Sequence, residues 1–183
     1  MARQVYIYDP PQRFVVGTVG EPGERVFYLQ ARDAASITTV KLEKEQVAVL
    51  AEKITELLDE VARRQPEADL DDAGAALDDL DPLEMPILED FVVGALGLGW
   101  NSATDRVIVE GHAAGDDEVP EIEDDADADG PDCLRLRLTA AMARSFVRRA
   151  VAVVAAGRPP CPFCHLPLDP AGHICPRANG YRR

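Results

Sequence analysis

The final stretch of this chain constrains it most. Cys161-Pro-Phe-Cys164 and, further on, His173-Ile-Cys175 gather three of the four cysteines and two of the three histidines into one proline-rich segment. The spacing C-x2-C-x8-H-x-C offers three thiols and an imidazole. That set suits tetrahedral Zn²⁺, which takes sulfur and nitrogen ligands without any redox demand. Iron could take the same ligands, and His165 stands as an alternative to His173 for the fourth position. Pro160, Pro162, Pro167, Pro170, Gly172 and Pro176 keep the segment out of regular structure and away from a core of its own. A metal staple supplies what burial cannot. Four protein ligands leave no open coordination position, so the expected role of the zinc is structural and not catalytic.

Two other chemistries share part of this pattern. Cys161-Pro-Phe-Cys164 looks like a glutaredoxin-type redox pair, but such a pair needs its first cysteine at a helix N-terminus. Here Pro167 and Pro170 follow within a few residues and forbid the helix. Cys164-His165 also completes a C-x-x-C-H haem-attachment string. Haem attachment belongs to exported proteins, and the opening Met1-Ala2-Arg3-Gln4 lacks the apolar run of an export signal. Neither chemistry uses His173 or Cys175.

The 183 residues are 46% hydrophobic, enough for a true core in one domain or two small ones, and carry a net charge of −14. The charge is uneven. Residues 1–143 hold 12 basic and 32 acidic side chains, whereas residues 144–183 hold 7 arginines and the single acid Asp169. The main body should therefore repel nucleic acid and anionic membrane, while the tail could attract either or fold back onto the body. No apolar run reaches the roughly 20 residues of a membrane span. A cytoplasmic protein with reduced thiols is expected, and Cys133, among Leu134, Leu136 and Leu138, reads as a small buried hydrophobe.

Phe14-Val-Val-Gly17-x-x-Gly20 recurs as Phe91-Val-Val-Gly94-x-x-Gly97, and Arg25-Val26 recurs as Arg106-Val107. In both copies a short alternating strand then leads into a helix, through Ile37 to Leu42 and Leu134 to Leu138. The pattern predicts two related β-β-β-α halves, 1–65 and 85–157. They are separated by an acidic linker at 66–84, and the second is interrupted by an acidic, disordered insertion at 114–132. Val5 to Tyr8, Arg13 to Val19, Arg25 to Gln30 and Ile37 to Leu42 read as strands between turn signals. Short turns between successive strands predict antiparallel pairing. Val47, Leu50, Ala51, Ile54, Leu57, Leu58 and Val61 form one helical stripe, with acids in the first turn, Arg63 and Arg64 in the last, and Pro66 after it. A second helix should follow Thr139 as N-cap and show Arg144, Arg148 and Arg149 to solvent.

No nucleophilic or acid–base constellation stands out. His112, the one histidine outside the tail, reads as structural. Gly94, Gly97 and Gly99 lead to a turn at Trp100-Asn101-Ser102 and so look like hairpin or bulge glycines, not a phosphate cradle. Asp125, Asp127, Asp129 and Gly130 match half of a calcium loop, but Leu136 stands where the bidentate glutamate belongs. Arg177, Asn179, Tyr181, Arg182 and Arg183 form a basic end suited to an anion or a partner, by arginine contacts and stacking.

The tail, from Cys161-Pro-Phe-Cys164 through Pro167-Leu-Asp-Pro170 to Gly172-His173-x-Cys175-Pro-Arg177-x-Asn179-Gly-Tyr181-Arg-Arg183, resembles an uncharacterised actinobacterial family, domain of unknown function 3090. Phe27-Tyr-Leu-Gln30-Ala-Arg32 and Gly97-Leu-Gly-Trp100 are similar to other parts of it. The resemblance implies a context: a trio with a phosphatidylinositol-kinase-like and a histidine-phosphatase-like protein. It implies no activity, and it favours His173 over His165 as ligand.

Together these readings predict an α+β fold: an antiparallel sheet carrying two helices, built from two related halves and finished by a zinc-binding tail at 158–183. The expected function is that of a non-enzymatic binding or adaptor protein with a protein partner. Two alternatives stand beside it. One is an enzyme acting on a phosphorylated substrate in the groove between the halves, through Gln30, Arg32, Trp100 or the tail arginines. The other is nucleic-acid binding by the tail.

Overall fold

The computed structural model describes residues 3–70, 78–115, 118–119, 121–122, 129–157, 160–166, 168, 173, 175 and 177. Its elements are β1 (Val5–Tyr8), β2 (Arg13–Val19), β3 (Val26–Arg32), β4 (Ile37–Leu42), α1 (Lys44–Arg64), β5 (Phe91–Asn101), β6 (Arg106–Ala113), β7 (Cys133–Leu138) and α2 (Ala140–Ala155). Three strands followed by a helix thus occur twice, with β1 in front.

The seven strands form one sheet in the order β1-β7-β6-β5-β4-β3-β2. Two antiparallel meanders, β2-β3-β4 and β5-β6-β7, lie side by side. The sheet is mixed, which corrects the expectation of a purely antiparallel one: β4 runs parallel to β5, and β1 runs parallel to β7. The physical reason is the connection. A hairpin turn reverses the chain, but α1 carries it back along the sheet, so the strand after the helix enters in the direction of the strand before it.

This order forces the sheet to curl. Flat, its outer strands would stand roughly 29 Å apart, six spacings of about 4.8 Å. Only Asp9 to Gln12 join β1 to β2, and five Cα steps reach at most about 19 Å. A register shift lies between Val93 and Ala95. There β5 stops pairing with β4 and starts its ladder with β6. Curling brings β1 across to β4 and to the start of β5. The Tyr8 hydroxyl lies 2.8 Å from Thr38 Oγ1, and the Tyr6 and Phe91 rings approach to 6.2 Å.

Strand alternation then sorts the side chains. Phe14, Val16, Phe27, Leu29, Val40, Leu42, Val107, Val109, Leu134, Leu136 and Leu138 share one core with both helices. α1 buries Val47, Leu50, Ala51, Ile54, Leu58 and Val61, the stripe predicted from spacing. Its N-terminus is held by Gln46 Oε1, which accepts from the Glu43 N–H at 2.8 Å. Thr139 caps α2, its hydroxyl accepting from Met142 N at 3.2 Å. α2 buries mostly alanines around Phe146, whose ring stacks on Phe14 at 4.5 Å.

The described ends of the acidic linker are bound, not free. Arg148 pairs with Asp78, and Arg13 and Arg149 converge on Asp79. Arg149 also donates to the backbone oxygens of Val16, Asp79 and Asp81. Arg144 donates to Leu70 O at 2.7 Å. Arg148 is exposed as expected while it pairs with Asp78, whereas Arg144 and Arg149 are drawn inward and hold this strap beside the edge strand β2. Leu83 packs over Gly17, where an added Cβ would come within 2.5 Å of Leu83 Cγ. The acidic insertion touches the sheet too. Ile122 lies over Gly97 and Gly99, and Arg3 donates to Pro131 O. Gly94 sits at the register shift, as a bulge glycine should, whereas Gly97 and Gly99 lie inside β5, which runs on through Trp100 to Asn101.

Candidate metal centre

The metal-ligand pattern closes on itself locally. Pro162 presets the turn after Cys161. His165 N donates back to Cys161 O at 2.9 Å, and Cys161 N donates to Leu166 O at 2.8 Å. The sulfurs become acceptors inside this knuckle. Phe163 N lies 3.5 Å from Cys161 Sγ, Cys164 N also donates to Cys161, and Leu166 N donates to Cys164. Backbone N–H groups aimed at sulfur stabilise a thiolate, the form that ligates a metal.

Cys161 Sγ and Cys175 Sγ are 3.8 Å apart, and Cys164 Sγ and His173 Nε2 are 3.2 Å apart. All four donor atoms lie within 4.8 Å of one another. A tetrahedron with Zn–S bonds of about 2.3 Å has sulfur–sulfur edges of about 3.8 Å. A disulfide would need about 2.05 Å, and all four cysteines of the chain are free thiols. Cys161 and Cys175 are buried, and Cys164 and His173 are half-buried. The group can hold a metal ion, and its donors and spacing are consistent with zinc.

The acidities fit a site that gathers thiols. Burial would raise the Cys161 thiol, but the N–H groups of Cys164 and Phe163 outweigh it and hold the thiol below its ordinary value. Cys164 accepts the Leu166 N–H, yet burial and the adjacent sulfurs of Cys161 and Cys175 push it up. A cation among the sulfurs would relieve that mutual repulsion.

His165 has φ +61°, the left-handed region. It occupies the turn position that lets the Leu166 N–H reach Cys164, and it is no member of the four-donor group, so the alternative ligand falls away. The knuckle also presents what ligand spacing did not reveal: Phe163 and Leu166 are 61% and 52% exposed. The only sequence signal for this was their position between and just after ligands that face inward.

Of the basic end, Arg177 Nη1 donates to Phe163 O at 3.3 Å, tying the far ligand strand to the knuckle. Asn179, Tyr181, Arg182 and Arg183 lie outside the described residues, as do Asp125 and Asp127 of the half calcium loop. Gln30, Arg32 and Trp100 do not converge. Gln30 is buried against the Glu84 backbone, donating to its carbonyl and accepting from its N–H. Arg32 pairs with the Glu84 carboxylate, and Trp100 Nε1 donates to Gln65 Oε1. Cys133 is buried as predicted, but among charges. Burial pushes its thiol up to about 11, with the Glu110 carboxylate adding to the effect. No described helix is long and apolar enough to cross a membrane.

A family model described as a protein of unknown function, DUF3090, matches residues 6–175. No curated protein and no solved structure matches the chain. The match runs from the first strand to the last cysteine of the metal-ligand group, so sheet, strap and knuckle form one inherited unit, and the chain belongs to the DUF3090 family.

Proposed function

We propose that this protein is a zinc-containing binding or adaptor module in which a structural Zn²⁺, held by Cys161, Cys164, His173 and Cys175, fixes a partner-recognition knuckle. The observation that carries the reading is the knuckle itself. Its four donors turn inward within 4.8 Å while Phe163 and Leu166 stand exposed on the outside. Exposed large apolar side chains on a rigid, metal-fixed turn are suited to be anchors for a protein partner. A closed set of four ligands leaves the ion no position for substrate, which supports recognition over catalysis. The kinase-like and phosphatase-like companions implied by the family resemblance are the first partners to test.

The experiment is co-purification of tagged protein with each companion, alongside metal analysis. Cys161→Ser/Cys164→Ser should remove about one zinc equivalent and abolish capture. Phe163→Ala/Leu166→Ala should keep the zinc and weaken capture at least tenfold. Capture that survives both double substitutions would overturn the recognition role, and zinc content unchanged by the cysteine substitutions would overturn the metal assignment.

A further inference from the structure

The face of β5-β6-β7 turned away from the helices carries a second group of donors, unrelated to the tail. In the β6–β7 register His112 stands opposite Cys133, and Glu110 stands opposite Arg135. Direct cross-strand partners point to the same side of a sheet. Their β5 neighbours on that side are Ala95 and Gly97, and Ile122 lies over Gly97. All four polar residues are sealed in: Glu110 0%, Cys133 0%, His112 1% and Arg135 3% exposed.

A carboxylate, a guanidinium, an imidazole and a thiol in the interior are a costly way to fill space, since apolar residues of the same volume would pack there without desolvation. Their bonding is specific. Arg135 Nε holds Glu110 Oε1 at 2.5 Å, and His112 Nε2 lies 3.1 Å from Glu110 Oε2. Without an ion a proton sits between Nε2 and the carboxylate; an ion bound by both atoms takes its place, and 3.1 Å is close to the edge of a tetrahedron with bonds of about 2.0–2.2 Å. The buried His112 Nδ1 has no hydrogen-bond partner among the described residues. One donor atom from each of Glu110, His112 and Cys133 lies within 4.8 Å of the others, the same span that gathers the tail ligands.

We propose that Glu110, His112 and Cys133 form a second metal centre for a divalent ion of borderline softness, such as Zn²⁺, inside the sheet's outer layer. A thiolate, a ring nitrogen and a carboxylate oxygen are the ligand types that zinc takes, at about 2.3 Å for sulfur and about 2.0–2.2 Å for the others. The thiolate and carboxylate face the ion among two guanidiniums, Arg135 on Glu110 and Arg3 on the Cys133 sulfur, and binding releases the Cys133 thiol proton to solvent. Arg135 stays on the other carboxylate oxygen, the kind of outer contact that orients a ligand. The centre differs from the tail in kind. It has three protein ligands and one sulfur where the knuckle has four ligands and three sulfurs.

Metal stoichiometry tests this on the full chain. Purified protein should contain about two zinc equivalents, and Cys161→Ser/Cys164→Ser should lower this to about one. Cobalt(II) added to that tail variant should give a thiolate-to-cobalt charge-transfer band of single-sulfur intensity, and a further Cys133→Ser should remove the band and the last equivalent. Cys161→Ser/Cys164→Ser/Cys175→Ser removes every tail sulfur and leaves the buried cluster intact, so a single-sulfur cobalt band that persists in it supports the proposal and its loss overturns it, even if the Cys133 variant fails to fold. A tail variant with no zinc and a featureless cobalt spectrum would overturn the proposal, leaving Glu110–Arg135–His112 as an internal ion-pair network. If instead the tail double substitution costs no zinc while Cys133→Ser does, the tail assignment fails and the buried centre stands.

Discussion

His165 and His173 show how backbone geometry separates two histidines that spacing alone leaves equivalent. Both lie within reach of the cysteine pair in sequence, but His165 adopts φ +61° at the turn and His173 brings Nε2 to 3.2 Å from Cys164 Sγ. A left-handed conformation costs a non-glycine residue roughly 1–2 kcal/mol. His165→Gly should therefore keep the tail's metal and, if anything, tighten its binding, because the turn no longer strains a side chain. His173→Ala should weaken zinc affinity by at least tenfold. Competition with a chromogenic chelator measures both. Equal losses in the two variants would return His165 to the ligand set. The buried Glu110–His112–Cys133 group was harder to read. Glu110 and His112 share β6 but Cys133 lies in β7, and only the β6–β7 register brings it beside them. The faint sequence signal was alternation: Glu110-x-His112 and Cys133-x-Arg135 each put two polar groups on one face of a strand whose other face is apolar.

At the scale of elements the strands and helices were legible because each carries its own periodicity. β1, β2 and β4 span the same residues as the predicted runs, and the predicted α1 stripe is buried except for Leu57, which is half-buried. The strap was not legible, because its cause is long-range charge. A run of acids reads as a solvated linker until arginines from β2 and α2 are found facing it. Its pH dependence follows from Asp79, whose carboxyl is held below the ordinary range, first by its hydrogen bond to Arg13 and then by the nearby guanidinium charges, against some opposing burial. A carboxyl whose native pKa is depressed stabilises the fold fully above the unfolded value, about 3.9. That stability disappears as the pH falls through the lower native value. Wild-type protein should then melt at a higher temperature than Asp79→Asn at pH 7, and the gap should close as the pH is taken below 4. A gap that persists unchanged into acid would mean the carboxylate charge does not hold the strap. Gly17→Ala attacks the same strap from beneath. A Cβ within 2.5 Å of Leu83 Cγ forces the leucine off β2, for a loss of about 1–3 kcal/mol.

For the whole molecule, the short Asp9–Gln12 connection decides the shape. Two meanders with helices could lie flat in an open sheet, and pattern alone does not distinguish that from a curled one. A four-residue link between the outer strands does, because the chain is too short to cross a flat sheet. The curl makes one core serve both halves, and among the described residues that core contains nothing beyond Val154. On the proposed reading the knuckle folds as a unit of its own beside this body. Its order rests on its own hydrogen bonds and on metal, while the body rests on burial of apolar surface. A chain ending at Gly157 should consequently unfold in one cooperative thermal transition, within a few degrees of the full-length protein. Cys161→Ser/Cys164→Ser should likewise leave the Trp100 emission unchanged, because that indole is held to Gln65 at the end of α1, within the body. A truncated chain that melts without cooperativity would show instead that the tail completes the core, and the division of labour between a packed body and a metal-held recognition turn would have to be abandoned.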